Sequence, residues 1–308
     1  MDHVRPRLGV SGCVLGEPVR HHGGHSRSRF LTDTLGAFAD FTGICPELEI
    51  GLGVPRPPVR LVSPGRLISP HDGADHTAAV AAIAESHSSE LERLAGYVLK
   101  GRSPSCGLSS AREYRAGEIV RANATGAFAR QIAGAHPELP VEEDGRLNDP
   151  ALREHFIERV FARARLLKLF AGPWRPRDLV DFHARHKLQL LGHSRVHYQE
   201  LGQLVGQAGR LPAPSVRTRY ASVFGRAMSV RTTVNRQVDV LHHAFGMVGK
   251  ELDQHRRHDI LAVIAAYRVR EVPLSVPVTL IRHYAAGYLA GQTYLDPFPA
   301  ALGLRNQT

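Results

Sequence analysis

Three cysteines are spread over a chain of 308 residues: Cys13 in SGCVLG, Cys45 in GICPELEIG and Cys106 in GRSPSCG. Each follows a short apolar run and sits in a turn rich in Gly, Ser or Pro, a composition that suits close approach of backbone to a bound group. Thiols so placed have four uses. They can be unrelated buried side chains, since cysteine is among the most buried residue types. They can hold zinc together with a histidine, and His21, His22 and His25 lie near Cys13; the C-x-x-C pair usual in structural zinc sites is missing. One can be a nucleophile, which leaves two cysteines unexplained. Together they can hold an iron–sulfur cluster with one iron left open, a Lewis acid rather than an electron carrier.

The elements around them decide whether they can meet. PRLGV reads as a short strand ending before Cys13, and TGI as a second strand leading into Cys45. FLTDTLGAFADF carries apolar residues at helical spacing (Leu31, Leu35, Phe38). RLVSP and RLIS are extended pieces, DHTAAVAAIAESHSSELERLAG is one long helical run, and GYVLK is a strand before GRSPSCG. Strands alternating with helices predict a parallel sheet. Each cysteine then lies just beyond the carboxyl end of a strand, where open α/β sheets gather their ligands.

Beyond about Pro137 the chain reads as a connector, then as ALREHFIERVFARARLLKLF, a helix broken by AGPWRPRD. From LVDFHARHKLQLLGHSRVHYQELGQLVGQ onward the pattern is helical until the turn-like tail. The expected architecture is an α/β N-terminal domain with a parallel, Rossmann-like sheet over 1–148. A helical connector follows over 149–180, and an all-α C-terminal domain over 181–308.

Composition narrows the function classes. Three cysteines cannot form a paired disulfide framework, which fits a reduced cytoplasmic setting. No apolar stretch reaches the roughly 20 residues of a membrane helix, and MDHVRPRLGV lacks the hydrophobic core expected of a signal peptide. Residues 1–150 carry 16 Lys and Arg against 18 Asp and Glu, and residues 151–308 carry 23 against 11. The balances, −2 and +12, make the second half the one suited to a polyanion. Aromatic and basic residues interleave there in HSRVHY, RTRY and RHY. Their Tyr198, Tyr220 and Tyr284 offer rings on which unpaired bases can stack.

The quoted segments carry a family resemblance. SGCVLGEPVRHHGGHSR, CPELEIGLGVPRPPVRLV and LKGRSPSCG resemble the signature segments of the DUF523 family, which includes the thiouracil desulfidases. LLGHSRVHYQELG, VPLSVPVTLIRHY and YLAGQTYLDPFPAALGLRN resemble the DUF1722 domain. The fused arrangement is similar to desulfidases proposed to act on 4-thiouridine in tRNA. The resemblance implies a 4Fe–4S cluster on Cys13, Cys45 and Cys106, a catalytic Glu47 and a catalytic Ser103. Related sequences often carry Tyr-Asp where His21-His22 stand, and a further cysteine where Ile50 stands.

The implied chemistry is hydrolytic. A thiocarbonyl sulfur is soft and suits an open iron. A carboxylate at Glu47 can activate water and pass its proton on, and Ser103 can hydrogen-bond the base or an oxyanion. The expected substrate is a thiolated pyrimidine, 4-thiouridine in tRNA, with free thiouracil as the alternative. The rival from another class is a non-enzymatic RNA-binding protein with a structural metal. Nearby residues also have bland readings: Glu47 can cap the turn after Pro46, Ser103 and Ser105 can be turn residues around Pro104, and Arg56 and Arg60 can bind phosphate or lie on the surface.

Overall fold

The computed structural model describes residues 3–307. They divide into two compact units, one spanning residues 5–156 and the other residues 157–307 with residues 3 and 4. In the first unit the strands are β1 Arg7–Ser11, β2 Asp40–Ile44, β3 Arg60–Val62, β4 Arg66–Ile68, β5 Gly96–Leu99, β6 Ala111–Arg115, β7 Glu118–Ala124 and β8 Val141–Glu143. The helices among them are α1 Gly12–Leu15, α2 Pro46–Glu49, α3 Thr77–Ser86, α4 Ser88–Arg93 and α5 Ala127–Ala135.

The main sheet has the order β2-β1-β5-β8, and every pair in it is parallel. Its apolar strands are covered on both faces, as parallel sheets require; Leu8, Val10, Tyr97, Val98 and Leu99 are fully buried. The order reverses around β1: the chain leaves β1 to one side for β2 and later returns to its other side as β5. Such a reversal opens a crevice at the carboxyl ends. Register makes the rim level, because Ser11 pairs with Ile44 at the ends of β1 and β2, and Val10 pairs with Val98 in β5. The parallel α/β expectation holds.

Four local features differ from the sequence reading. The segment expected as one helix at 30–41 is a π turn, Phe30–Thr34, followed by a 3-10 turn, Leu35–Ala37. Asp40 and Phe41 are drawn into β2 by pairing with Arg7 and Leu8. The alanine-rich run breaks at His87 into α3 and α4, with His87 Nε2 held 2.7 Å from Glu49. A second sheet, β4-β3-β6-β7, uses RLVSP and RLIS and adds a hairpin at 111–124 that carries no alternating apolar face. Finally, β8 lies inside the stretch read as connector, where three residues suffice to extend the sheet edge.

The helix α6 Pro150–Leu169 carries the chain from one unit into the other. The second unit continues with α7 Pro176–Arg185, α8 Lys187–His193, α9 Arg195–Gly206, α10 Ala213–Ser229, α11 Val234–Val248, α12 Gln254–Arg268, α13 Ser275–Tyr284 and α14 Gly287–Ala290. It is helical, as expected. Leu179, Leu190, Leu201 and Val216 fill one core cluster, and Leu188, Leu241, Ile260 and Ile281 another. Within it Glu158 is buried against Arg305 at 3.3 Å and His193 at 3.5 Å. Burial pushes its carboxyl up, but His193 and then Arg305 and Gln189 hold it below the usual range. Paired in this way the charge is tolerated.

One aromatic expectation is corrected here. Tyr220 is fully buried and bonded through its hydroxyl to His183 Nδ1 at 3.1 Å, so it offers no face to an RNA base. Tyr198 stacks on His183 with ring centroids 5.1 Å apart, and Tyr284 packs on the second core cluster. The hydrophobic period of these helices claims the rings first. Among the described residues no helix is long and apolar enough to cross a membrane.

Candidate active site

A cavity of about 350 Å³ lies at the carboxyl ends of β1, β2 and β5, and Cys13, Cys45, Cys106, Glu47 and Ser103 all line it. Three segments far apart in sequence therefore meet at one place. Cys13 is the second residue of α1, a single turn closed by Gly16 at φ +106°, a left-handed conformation that favours glycine. Cys45 caps α2, with Pro46 at the first helical position, where its missing N–H costs nothing. Cys106 ends the loop after β5 and is buried.

The thiols sense one another. Burial pushes the Cys13 thiol up to about 11, and Cys45 adds to the effect. Burial also raises Cys45, against the pull of the Leu48 amide. Cys106 is raised further, by burial first, then by Glu47, Cys13 and Cys45, while the Ser11 hydroxyl opposes. Thiols so raised hold their protons near neutral pH, and a cation bound among them would draw those protons off. A single zinc ion would draw its ligands to about 2.3 Å from one point. Among the described residues no three His, Cys, Asp or Glu side chains are grouped so as to hold a metal ion of any kind as they stand. His22 and His25 instead accept backbone N–H bonds from Gly24 and Arg27 at 3.2 and 3.3 Å, and only His21 of the three lines the cavity. Thiolates around a shared volume are soft donors of the kind that hold soft metals and iron–sulfur clusters.

Glu47 stands two residues after Cys45, so the cap that aims the thiol also aims the carboxylate. Both of its oxygens are held. Oε2 accepts from Arg56 Nη2 at 2.6 Å and Nε at 3.2 Å, and Oε1 accepts from the Ser105 hydroxyl at 2.8 Å. The Arg56 side chain is only 4% exposed. It also donates from Nη1 to the Gly53 carbonyl at 2.8 Å and from Nη2 to the Val19 carbonyl at 3.0 Å. Arg56 is thus no surface residue: it lines the cavity with four of its five donors committed to Glu47 and two carbonyls. Ser105 is fully buried and does not line the cavity.

Ser103 does line it. Its Oγ accepts from the N–H of Ser105 at 3.2 Å and of Cys106 at 3.1 Å. With its lone pairs turned to the backbone, the hydroxyl keeps one function for a ligand, donation of its proton. The same two bonds set the direction of Cys106.

Residues beyond the thiols and Glu47 fix this loop. The buried Glu143 at the end of β8 accepts at Oε1 from Leu108 N at 2.6 Å, Ser109 N at 2.9 Å and the Ser110 hydroxyl at 2.8 Å. Asp144 takes the Gly101 N–H at 2.8 Å and pairs with Lys100 at 2.6 Å. The first amides of α5 reach the Pro104 and Ser105 carbonyls at 2.9–3.1 Å. A Cβ on Gly126 would stand 2.5 Å from the Ser105 oxygen, so only glycine permits that approach. Ser11 accepts from the Lys100 N–H at 3.0 Å beside Cys106. Glu143 and Ser11 escaped the sequence reading, and Arg56 was singled out there only as a phosphate ligand or a surface residue; the one signal for its packed role was the run of prolines around it in VPRPPVR, which marks a rigid segment.

Ile50 is half-buried against the core cluster that contains Ile44 and Cys106, an apolar packing role at the position where a fourth thiol would stand.

Comparison with known proteins finds relatives of both units. The family described as 2-thiouracil desulfurase matches residues 8–144, and the family described as a protein of unknown function, DUF1722, matches residues 187–299. The chain is 30% identical over 153 residues to the uncharacterized protein YbgA of Escherichia coli strain K12, covering 48% of this chain and 90% of YbgA. A solved structure titled as a [4Fe-4S]-dependent thiouracil desulfidase, TudS, is 30% identical over 48% of this chain and 97% of its own, with a TM-score of 0.39. The chain therefore joins a domain of the 2-thiouracil desulfurase family, over residues 8–144, to a DUF1722 domain, over residues 187–299, and is a relative of YbgA.

Proposed function

We propose that this protein is a cluster-dependent desulfidase that replaces the sulfur of a thiolated pyrimidine by oxygen from water, with 4-thiouridine in tRNA as the substrate. The observation that carries the reading is the single cavity that unites three cysteines from three strand ends with Glu47 and Ser103. Cys13, Cys45 and Cys106 would hold a 4Fe–4S cluster. When bound there, the cluster supplies an open iron as a soft Lewis acid for a thiocarbonyl sulfur.

The overall exchange balances without redox change: C=S and H₂O give C=O and H₂S. The chain's own residues handle the protons. Glu47 Oε1 takes a proton from the attacking water and returns it to the departing sulfur. Ser103 donates its hydroxyl proton to the substrate, orienting the ring or meeting negative charge as it develops. Buried walls around the thiols limit water to the reacting face.

The tRNA part of the reading rests on charge. The second half carries the +12 balance, and α12 exposes His255, Arg256, Arg257 and His258 on successive positions. Phosphate contacts from such residues dominate nucleic-acid affinity. The test is to load the cluster anaerobically and incubate the full chain with bulk thiolated tRNA and, separately, with free thiouracil. Loss of 4-thiouridine matched by sulfide release supports the whole proposal. Sulfide from free thiouracil alone would restrict it to the base, and a colourless protein with one zinc and no turnover would favour a structural metal.

A further inference from the structure

We propose that Arg56 is a positioning residue for the reaction, and that it divides the labour of Glu47: Oε2 is the anchored oxygen and Oε1 the one that carries the proton. The inference rests on the proposed desulfidase reading of this site. Its observations are geometric. Four donations leave Arg56, two to Oε2 of Glu47 and one each to the carbonyls of Gly53 and Val19. Its own backbone N–H donates to the His21 carbonyl at 2.9 Å.

A planar guanidinium with four of its five donors committed cannot turn towards a ligand. It links the segment after Cys13, the segment after α2 and the carboxylate between them. The cation holds Oε2 by two bonds in a site almost closed to water, where charge-assisted bonds are strongest. Proton uptake at Oε2 would break that pairing. Oε1 has one partner, the Ser105 hydroxyl, and retains a lone pair for water. Ser105 is therefore a second positioning group, holding Oε1 from the side away from the cavity. Ser105 does not line the cavity; Arg56 does, with four of its five donors turned to Glu47 and the two carbonyls.

Arg56→Lys keeps the charge and loses the planar fork. In the cluster-loaded full chain it is expected to lower kcat about 10- to 100-fold, leave KM within about 3-fold and keep the visible absorbance of the cluster. Arg56→Ala is expected to lose more, and millimolar guanidinium added to it should restore kcat several-fold while leaving Glu47→Gln unaffected. If Arg56→Ala does not fold, Arg56→Lys and Arg56→Gln carry the test. A readout independent of turnover comes from urea midpoints of the cluster-free protein. There the shifts of Arg56→Lys and Glu47→Gln should be non-additive in the double variant.

An unchanged kcat in Arg56→Lys, a rise in KM equal to the fall in kcat/KM, or additive midpoint shifts would overturn the assignment. Absence of desulfidase turnover in the unsubstituted loaded protein would instead refute the functional reading, and the midpoint cycle would still decide the Glu47–Arg56 link.

Discussion

Replacement of Ser103 by alanine tests the site at two levels. The hydroxyl accepts two backbone N–H groups, of Ser105 at 3.2 Å and Cys106 at 3.1 Å, in a part-buried turn. Each such bond contributes about 0.5–1.5 kcal/mol net, so Ser103→Ala should destabilise the α/β unit by roughly 1–3 kcal/mol. For a unit of this size that corresponds to a fall in Tm of about 2–10 °C. Because one freed amide belongs to Cys106, the variant should also release its cluster sooner under a chelator. In protein that remains loaded, the missing donor should reduce kcat about 10²–10³-fold, the usual loss for a group aimed at developing charge. Ser103→Thr keeps the oxygen and should recover most of the stability. The assays are urea unfolding of the cluster-free chain, visible absorbance over time with chelator, and sulfide release per loaded protein. A Ser103→Ala variant with unchanged urea midpoint and less than a 3-fold loss of kcat would refute both the turn role and the donor role.

Other outcomes follow from the same geometry. Replacing any one of Cys13, Cys45 or Cys106 by serine should abolish iron retention and turnover together, read by iron content, because a hard hydroxyl replaces a soft thiolate. Glu47→Gln should retain cluster absorbance and lose turnover by about 10²–10⁴-fold, as loss of a general base does. The cluster-free protein should lose stability as pH rises from about 9 to about 11. The Cys13 thiol is raised from 9.0 to about 11, so the folded state holds the proton longer than the unfolded chain and gives up that advantage over this window. Urea midpoints against pH check it, and Cys13→Ser should flatten the slope. Tyr97 is fully buried and its hydroxyl has no hydrogen-bond partner among the described residues. Tyr97→Phe should therefore leave the cluster-free chain as stable or raise its stability by about 1 kcal/mol, measured by its urea midpoint.

How much of this was written in the chain depends on the range of the interaction. Local signals carried far. Apolar runs followed by Gly, Ser and Pro marked the ends of β1, β2 and β5, and parallel pairing of those strands brings Cys13, Cys45 and Cys106 to one rim whatever the intervening loops do. Glu47 is tied to Cys45 by two residues of helix, so its arrival at the cavity was equally local. The amphipathic period of α7 to α13 made the second unit helical before any contact was known.

Only tertiary structure could decide the rest, because burial and pairing are properties of distant segments meeting. Arg56 reads as a surface cation in VPRPPVR, yet it is enclosed by carbonyls from residues 19 and 53 and by Glu47. Ser103 and Ser105 are indistinguishable in SPSCG; the fold turns one to the cavity and buries the other against Glu47. Asp40 and Phe41 left a helical pattern because pairing with β1 satisfied their backbone better. Tyr220 looked like a platform for a base until helix packing enclosed it with His183. In each case the residue's own preferences were compatible with two environments, and pairing or packing with distant segments selected one.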